Sequence, residues 1–248
     1  MHNARTRQFH SPTKGKSVST IKIKAMFHGA SGTTQGEATI AHAIIAGWTG
    51  RDPAAVQKHI KELQLLGVKP PATTPIFYRV SASRITTAET IEATGTASSG
   101  EVEYVLLQSG GKLWVGVGSD HTDREVEAYG VTVSKQMCDK PIASAFWLYD
   151  QVAPHWDKLM LRSHIPEKGS RVLYQEGAVG GMLTPMDLIG RYTNGGKALA
   201  ENSLMFCGTF AAKGGIRAAD RFDYELEDPV LGRKLTGGYA ITTLPVLG

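Results

Sequence analysis

Acidic residues stand where the most hydrophobic runs of the chain begin and end. In GEVEYVLLQSGGKLWVGVGSDHTDRE, residues 100–125, Glu101 and Glu103 open one apolar run and Asp120 closes the next. A spacing of two puts Glu101 and Glu103 on one face of a strand. Like charges held there repel unless water solvates them or a cation bridges them. Asp120 follows Gly118 at a turn that would expose its carboxylate, as an ordinary turn aspartate or as the third member of a group. Three carboxylates from neighbouring strand ends form an oxygen-only donor set, which suits Mg²⁺ or Mn²⁺ rather than Zn²⁺.

Two further places hold chemically useful residues. YGVTVSK reads as a strand in which Val131, Val133 and Lys135 share the apolar face. A lysine there snorkels to water or turns toward the carboxylates, where it adds positive charge next to a developing oxyanion. His59 and Glu62 stand three apart on a helical stretch and are therefore surface neighbours. That spacing fits a general base with its orienting carboxylate, and it also arises by chance on exposed helices.

The elements that must carry these residues are mostly strands. STIKIKAMF alternates apolar and polar residues from Ile21, so order is expected to begin near Ser19. ATIAHAIIAGW is mostly apolar and is either a buried helix or a strand. GRDPAAVQKHIKELQLLG predicts a helix over about 52–66, capped by Asp52, with Pro53 in its first turn and Gly67 past its end. After the proline-rich KPPATTP, ten short β-like segments follow, one of them VEAYGVTVS, interrupted by a helix that Thr184 or Pro185 starts and Gly195 ends. Many short strands with few helices predict an α+β, β-rich domain of rolled or barrel-like sheets, with the helical N-terminal part as an appendage.

Composition narrows the function classes. The net charge of +4 is misleading, because six basic residues and no acid lie within residues 1–24, leaving 21 bases against 23 acids elsewhere. The excess sits in a tail over residues 1–18 that reads as disordered, not in a nucleic-acid-binding face. No apolar run is long enough to span a bilayer. Cys138 and Cys207 are far apart and outside any C-x-x-C pattern, which argues against a disulfide framework or thiolate zinc and fits a reducing cytoplasm.

The order of the motifs adds a resemblance. Gly50-Arg51 with H-I-K-E at 59–62, TPIFYRVSAS, GEVEYVLL, VGSDHTDRE, Lys135, RVLYQEGAVGGML and MFCGTFAAKGG run in the same order as the conserved segments of the fumarylacetoacetate hydrolase superfamily. These resemble that family's G-R-N-Y-x-D-H-x-x-E, P-x-F-F-x-K-P-S-S, E-x-E-L-A-V-V, G-N-D-V-S-A-R-D, lysine, R-x-x-Q and T-G-T-P segments. The resemblance spans residues 44 to about 245. It implies a rolled β fold, a homodimer, a helical lid over 52–66 and one Mg²⁺ or Mn²⁺ held by Glu101, Glu103 and Asp120. It also implies a small 2-oxo acid or 1,3-dicarbonyl substrate reacting through a metal-bound enolate. Lys135 would then add a second positive charge, and His59 oriented by Glu62 would move a proton. Gln175 and Thr209 would hydrogen-bond substrate oxygens, and Arg51 or Arg79 would hold a carboxylate, with His121 and Arg124 as further polar candidates. Hydrolysis of a C–C bond is the reading so implied; dehydration or decarboxylation of a 2-keto-3-deoxy sugar acid, or plain binding of a small acid, are the alternatives.

The sequence also departs from the family. About one extra helical turn separates Arg51 from His59, Arg79 stands for a lysine, and Phe210 stands for the proline of T-G-T-P. The departures mark a divergent branch of bacterial look, whose reaction need not be the named hydrolysis.

Overall fold

The computed structural model describes residues 19–65 and 70–247, without the side chains of residues 59, 62, 63 and 65. The basic tail over 1–18 and Gly67 fall outside the described residues. The chain opens with a hairpin, β1 (Ile21–Gly29) and β2 (Gly32–Ile40), and runs on into β3 (His42–Gly47). Helix α1 (Pro53–Leu65) follows, with the Asp52 carboxylate accepting from the Ala54 amide at 2.8 Å. Next come β4 (Ile76–Val80), β5 (Ile85–Thr86), β6 (Thr90–Thr94) and β7 (Ser98–Ser99). Strands β8 (Val102–Ser109) and β9 (Lys112–Ser119) form a tight hairpin, because Gly110 and Gly111 both take positive φ, 62° and 70°. Two such residues give the turn whose twist matches that of the strands.

Beyond it lie β10 (Thr122–Asp123), α2 (Arg124–Tyr129), α3 (Val131–Met137), β11 (Lys140–Pro141), β12 (Ala145–Leu148) and α4 (Tyr149–Val152). The C-terminal part adds β13 (Met160–Glu167), β14 (Ser170–Ala178), α5 (Pro185–Tyr192), β15 (Ser203–Phe206), β16 (Arg221–Asp228) and β17 (Arg233–Leu244). As the sequence predicts, Thr184 caps α5 in a reciprocal box with Asp187.

Eight strands pair in the order β2-β1-β12-β9-β8-β15-β3-β4, and five more as β14-β13-β16-β17-β6. Every residue of β8 up to Gln108 is buried, which explains why it reads as a continuous apolar run. Its Val102, Tyr104 and Leu106 pack with Val115, Trp147, Phe222 and Tyr239, joining the two sheets. Its Val105 and Leu107 pack with Ile23, Ile45, Phe146 and Phe206, almost all from the eight-stranded sheet itself. That sheet therefore curls over a core of its own, the rolled β-rich architecture expected.

Two expectations are overturned. The N-terminal part is not a helical appendage, since β1, β2 and β3 are strands of the large sheet and, among the described residues, α1 is the one helix there. The stretch VEAYGVTVS is not a strand: Asp123 accepts from the Val126 amide at 2.9 Å and starts α2, and α3 follows Gly130. An N-cap with Glu125 and Glu127 in the first turn outweighs the alternation of β-branched residues. Lys135 is consequently a helical residue, and it shares its side of α3 with Val131, one turn earlier, and not with Val133, which is 49% exposed.

Candidate functional site

The ends of β8 and β9 bring the three carboxylates together. Val102 pairs with Ser119 and Glu103 with Gly118, so Asp120, one residue on, faces the start of β8. The Asp120 amide donates to the Glu101 carbonyl at 2.9 Å and fixes that register. Gly118 is required here, because a Cβ at that position would lie 2.7 Å from the Pro141 carbonyl. One oxygen from each of Glu101, Glu103 and Asp120 lies within 4.8 Å of the other two.

Asp120 is not at an exposed turn, as its place in the sequence suggests, but wholly buried. Lys135 of α3 and Lys140 of β11 both reach its carboxylate. Burial alone would push its pKa up; Lys135 and Lys140 overcome that and hold it at about 2. Lys135 Nζ is ion-paired with Asp120 Oδ2 and lies 3.5 Å from Glu101 Oε2. Burial pushes the Lys135 ammonium down, and Asp120, Glu101 and Glu103 raise it above its ordinary value. Lys140, in β11 beside Ile85 of β5, donates to the His121 carbonyl at 2.5 Å. Its Nζ stands 2.9 Å from Asp120 Oδ1, yet among the described residues Oδ1 has no hydrogen bond of good geometry.

The two glutamates differ. Glu101 is held by Arg124, whose Nη1 donates to it at 3.0 Å and to Glu127 at 2.9 Å, while Nε donates to Ser99 at 2.7 Å. Glu103 is 2% exposed, and its Oε2 accepts from the Gly208 amide at 2.6 Å. Burial, then Asp120 and Glu101, push its carboxyl well above the ordinary range. A carboxylate so placed gains from any added cation. An all-oxygen donor set, a buried Asp120 oxygen without a directed hydrogen bond, and a glutamate short of positive charge fit a divalent ion of the Mg²⁺ type.

Around this group lies a buried polar support. The Tyr239 hydroxyl is 2.9 Å from Ser119 Oγ and 3.0 Å from His121 Nδ1. His121 is fully buried, and burial, then Lys140 and Arg124, lower its pKa to about 3. Gln175 Oε1 accepts from the Val102 amide and from Ser163 Oγ, both at 3.0 Å, and its Nε2 donates to Thr209 Oγ1 and to the Phe210 carbonyl. Thr209 in turn donates to the Val102 carbonyl at 2.7 Å. Gln175 and Thr209 thus fasten the Gly208–Phe210 segment to the start of β8.

The structure does not gather every residue the sequence singled out. Arg51 donates from both terminal nitrogens to Asp157 at 2.8 Å, and Asp157 lines a cavity of about 380 Å³ with Tyr149, His155 and Thr184, apart from the carboxylates. Arg79 contacts His42 at 3.1 Å and Tyr192 at 3.3 Å, on the opposite face of β4 from buried Tyr78. The side chains of His59 and Glu62 lie outside the described residues. Sequence reasoning missed Lys140 and Tyr239. The only signal for Lys140 was a lysine inside an otherwise buried segment, and Tyr239, 118 residues from His121 in sequence, gave none.

Comparisons with known proteins bear on the fold. The model of a family described as "Protein of unknown function (DUF2848)" matches residues 46–239. No curated protein matches the chain. Among solved structures, it is similar to a protein of Oleispira antarctica assigned by inference as a fumarylacetoacetate isomerase/hydrolase, at 16% identity and a TM-score of 0.61 over 88% of this chain and 100% of that one. It is also similar to yeast ynq8, a fumarylacetoacetate hydrolase family protein, at 19% identity and a TM-score of 0.58 over 84% and 95%. A third is a 2-keto-3-deoxyarabinonate dehydratase, at 13% identity and a TM-score of 0.60 over 84% and 74%. At these identities the likeness establishes the fold, which is that of the fumarylacetoacetate hydrolases.

Proposed function

This chain belongs to the DUF2848 family, and we propose that it is a divalent-metal-dependent enzyme that cleaves a C–C bond in a small 2-oxo acid or 1,3-dicarbonyl compound. The observation that supports this most is the convergence of Glu101, Glu103 and Asp120 within 4.8 Å. These three would hold Mg²⁺ or Mn²⁺, which when bound supplies a Lewis acid that polarises a carbonyl oxygen. The chain's own residues prepare the site. Lys140 and Lys135 keep Asp120 ionised, and Arg124 orients Glu101. The Gly208 amide orients Glu103, with Gln175 and Thr209 bracing the segment that carries it. The lysines also place positive charge where a substrate oxyanion would gather. His59 beside Glu62, on α1, is the candidate for proton transfer.

The likeness to a 2-keto-3-deoxyarabinonate dehydratase, with a TM-score of 0.60, favours dehydration of a deoxy sugar acid as the second reading. Both reactions need a polarised carbonyl and differ in the bond that breaks. Calorimetric titration of chelator-treated protein with Mn²⁺ should show one site per chain. Glu101→Gln and Glu103→Gln should each abolish it while circular dichroism stays unchanged; binding that survives both changes places the ion elsewhere. Mg²⁺-loaded protein offered acylpyruvates and 2-keto-3-deoxy sugar acids should then either consume water and release a carboxylic acid with pyruvate, or lose water to give a dehydrated acid, and the product decides the reaction.

A further inference from the structure

The two lysines at Asp120 are not equivalent. Lys140 is fully buried, and its ammonium donates to the His121 carbonyl and is ion-paired with Asp120 Oδ1. Lys135 comes from the short helix α3 and, among the described residues, hydrogen-bonds to carboxylates alone, Asp120 Oδ2 and, at 3.5 Å, Glu101 Oε2. Those two residues belong to the trio whose oxygens lie within 4.8 Å of one another, so the ammonium stands against the donors that a divalent ion would use. Three cations, Lys135, Lys140 and Arg124, already pair with two of the three carboxylates, Asp120 and Glu101. A divalent ion added to that set would face an ammonium across shared oxygens, in a buried setting where like charges repel strongly.

We propose that Lys135 is the built-in counter-cation of this site and that a divalent ion binds by displacing its ammonium from Asp120 and Glu101. The proposal rests on the metal-site reading above and adds to it. A lysine suits this part, because a compact charge on a flexible four-carbon stem can withdraw without disturbing the backbone. Lys140 has no such freedom, since its carbonyl partner holds it when the carboxylate is shared. Without metal the exchange keeps the carboxylates neutralised and the fold intact. With metal it frees a positive charge next to the ion, where the anionic end of a substrate would meet it.

The test is metal affinity, read by calorimetry and by Mn²⁺ electron paramagnetic resonance on the full chain. Lys135→Met and Lys135→Gln should each bind Mn²⁺ more tightly than the unaltered protein, on the order of tenfold or more, because the competing charge is gone. Arg124→Gln, which removes a positive charge from the other oxygen of Glu101 without vacating the space between the carboxylates, should give no comparable gain. Equal affinity in the unaltered protein and both Lys135 variants, or equal gains in the Lys135 and Arg124 variants, would overturn displacement and leave the metal site standing. Absence of binding in all four proteins would overturn the metal reading itself, and the displacement with it.

Discussion

Two regions of the molecule collect three carboxylates around a cation, and only one of them has the makings of a site. On the five-stranded sheet Arg162 of β13 donates to Glu176 of β14 at 2.9 Å and to Glu225 of β16 at 3.1 Å, and it is also paired with Glu227. Arg162 lies directly opposite Glu176 on one side and Glu225 on the other, so the group is a cross-strand ladder. Lys213 and Lys234 complete it at 3.2 and 3.1 Å. There Arg162 and Lys213 lower Glu176, and Lys234 and Arg162 outweigh burial at Glu225 and lower it too. At the ends of β8 and β9 the same ingredients give the opposite result for Glu103, which burial raises despite Lys135. The number of acids is equal in the two places; what differs is water, which reaches all three glutamates of the ladder and is shut off from Glu103 and Asp120. A solvated cluster is already satisfied by its arginine, whereas a buried one retains a capacity for more positive charge.

The sharpest way to break this comparison is to remove the anion at the centre of the buried group. Asp120→Asn keeps the volume and leaves Lys140 and Lys135 without their shared carboxylate. Loss of one partner from a buried ion pair typically costs about 3–5 kcal/mol. Urea unfolding should report a drop of that size together with loss of Mn²⁺ binding. A variant as stable as the parent would show that water, not Asp120, carries the lysine charges.

How much of this was legible follows from the same contrast. Glu101, Glu103 and Asp120 could be read because a spacing of two and a hairpin with a Gly-Gly turn fix their convergence locally. Lys135 belongs to the site, but a strand face is not what puts it there: Val-Thr-Val-Ser alternates like a strand, and only the Asp123 cap and the packing of α3 on β4 and β10 make it helical. Lys140 owes its place to the pairing of β11 with β5, and Tyr239 to the last strand of the other sheet, contacts that no local pattern encodes. The burial of Asp120 has the same origin, since the side chains that meet it come from α3 and β11. Arg51 and Arg79 show the converse: residues suited to holding a carboxylate are held by Asp157 in one case and by His42 and Tyr192 in the other.

A third carboxylate lies between these extremes and predicts an effect of middle size. Asp228 is fully buried; Val230 and Leu231 amides donate to its Oδ1 at 3.1 Å, Arg233 Nε to its Oδ2 at 3.2 Å, and His155 Nε2 lies 2.9 Å away. Burial pushes its pKa up, but His155, the Leu231 amide and Arg233 prevail and hold it below its usual 3.8. An acid whose folded value is depressed stabilises the fold above its unfolded pKa, and that contribution disappears as pH falls through the folded value. Asp228→Asn should therefore cost roughly 1–3 kcal/mol at neutral pH, the scale for a charged buried hydrogen-bonded group. Its stability should also fall less steeply than the parent's below pH 3.8. Parallel acid limbs in the two proteins would remove Asp228 from the acid response.

The smallest effect belongs to the ladder, and it sharpens the comparison from the other side. Arg162 is 24% exposed and meets glutamates that water also reaches. Solvent screening and the cost of ordering long side chains leave pairs at solvated positions at about 0–1 kcal/mol, and these partly exposed ones near the top of that range. Arg162→Met retains the aliphatic cover of the stem while removing the charge, so melting should fall by no more than ~2–4 °C, the shift that about 1 kcal/mol produces in a chain of this size. The difference should shrink as salt rises, because the Debye length contracts to about 3 Å near 1 M. Mn²⁺ affinity should not change, since the ladder and the β8–β9 carboxylates share no residue. A large, salt-independent loss in Arg162→Met would mean that the ladder is as desolvated as Asp120, and the distinction between the two clusters would then rest on something other than water.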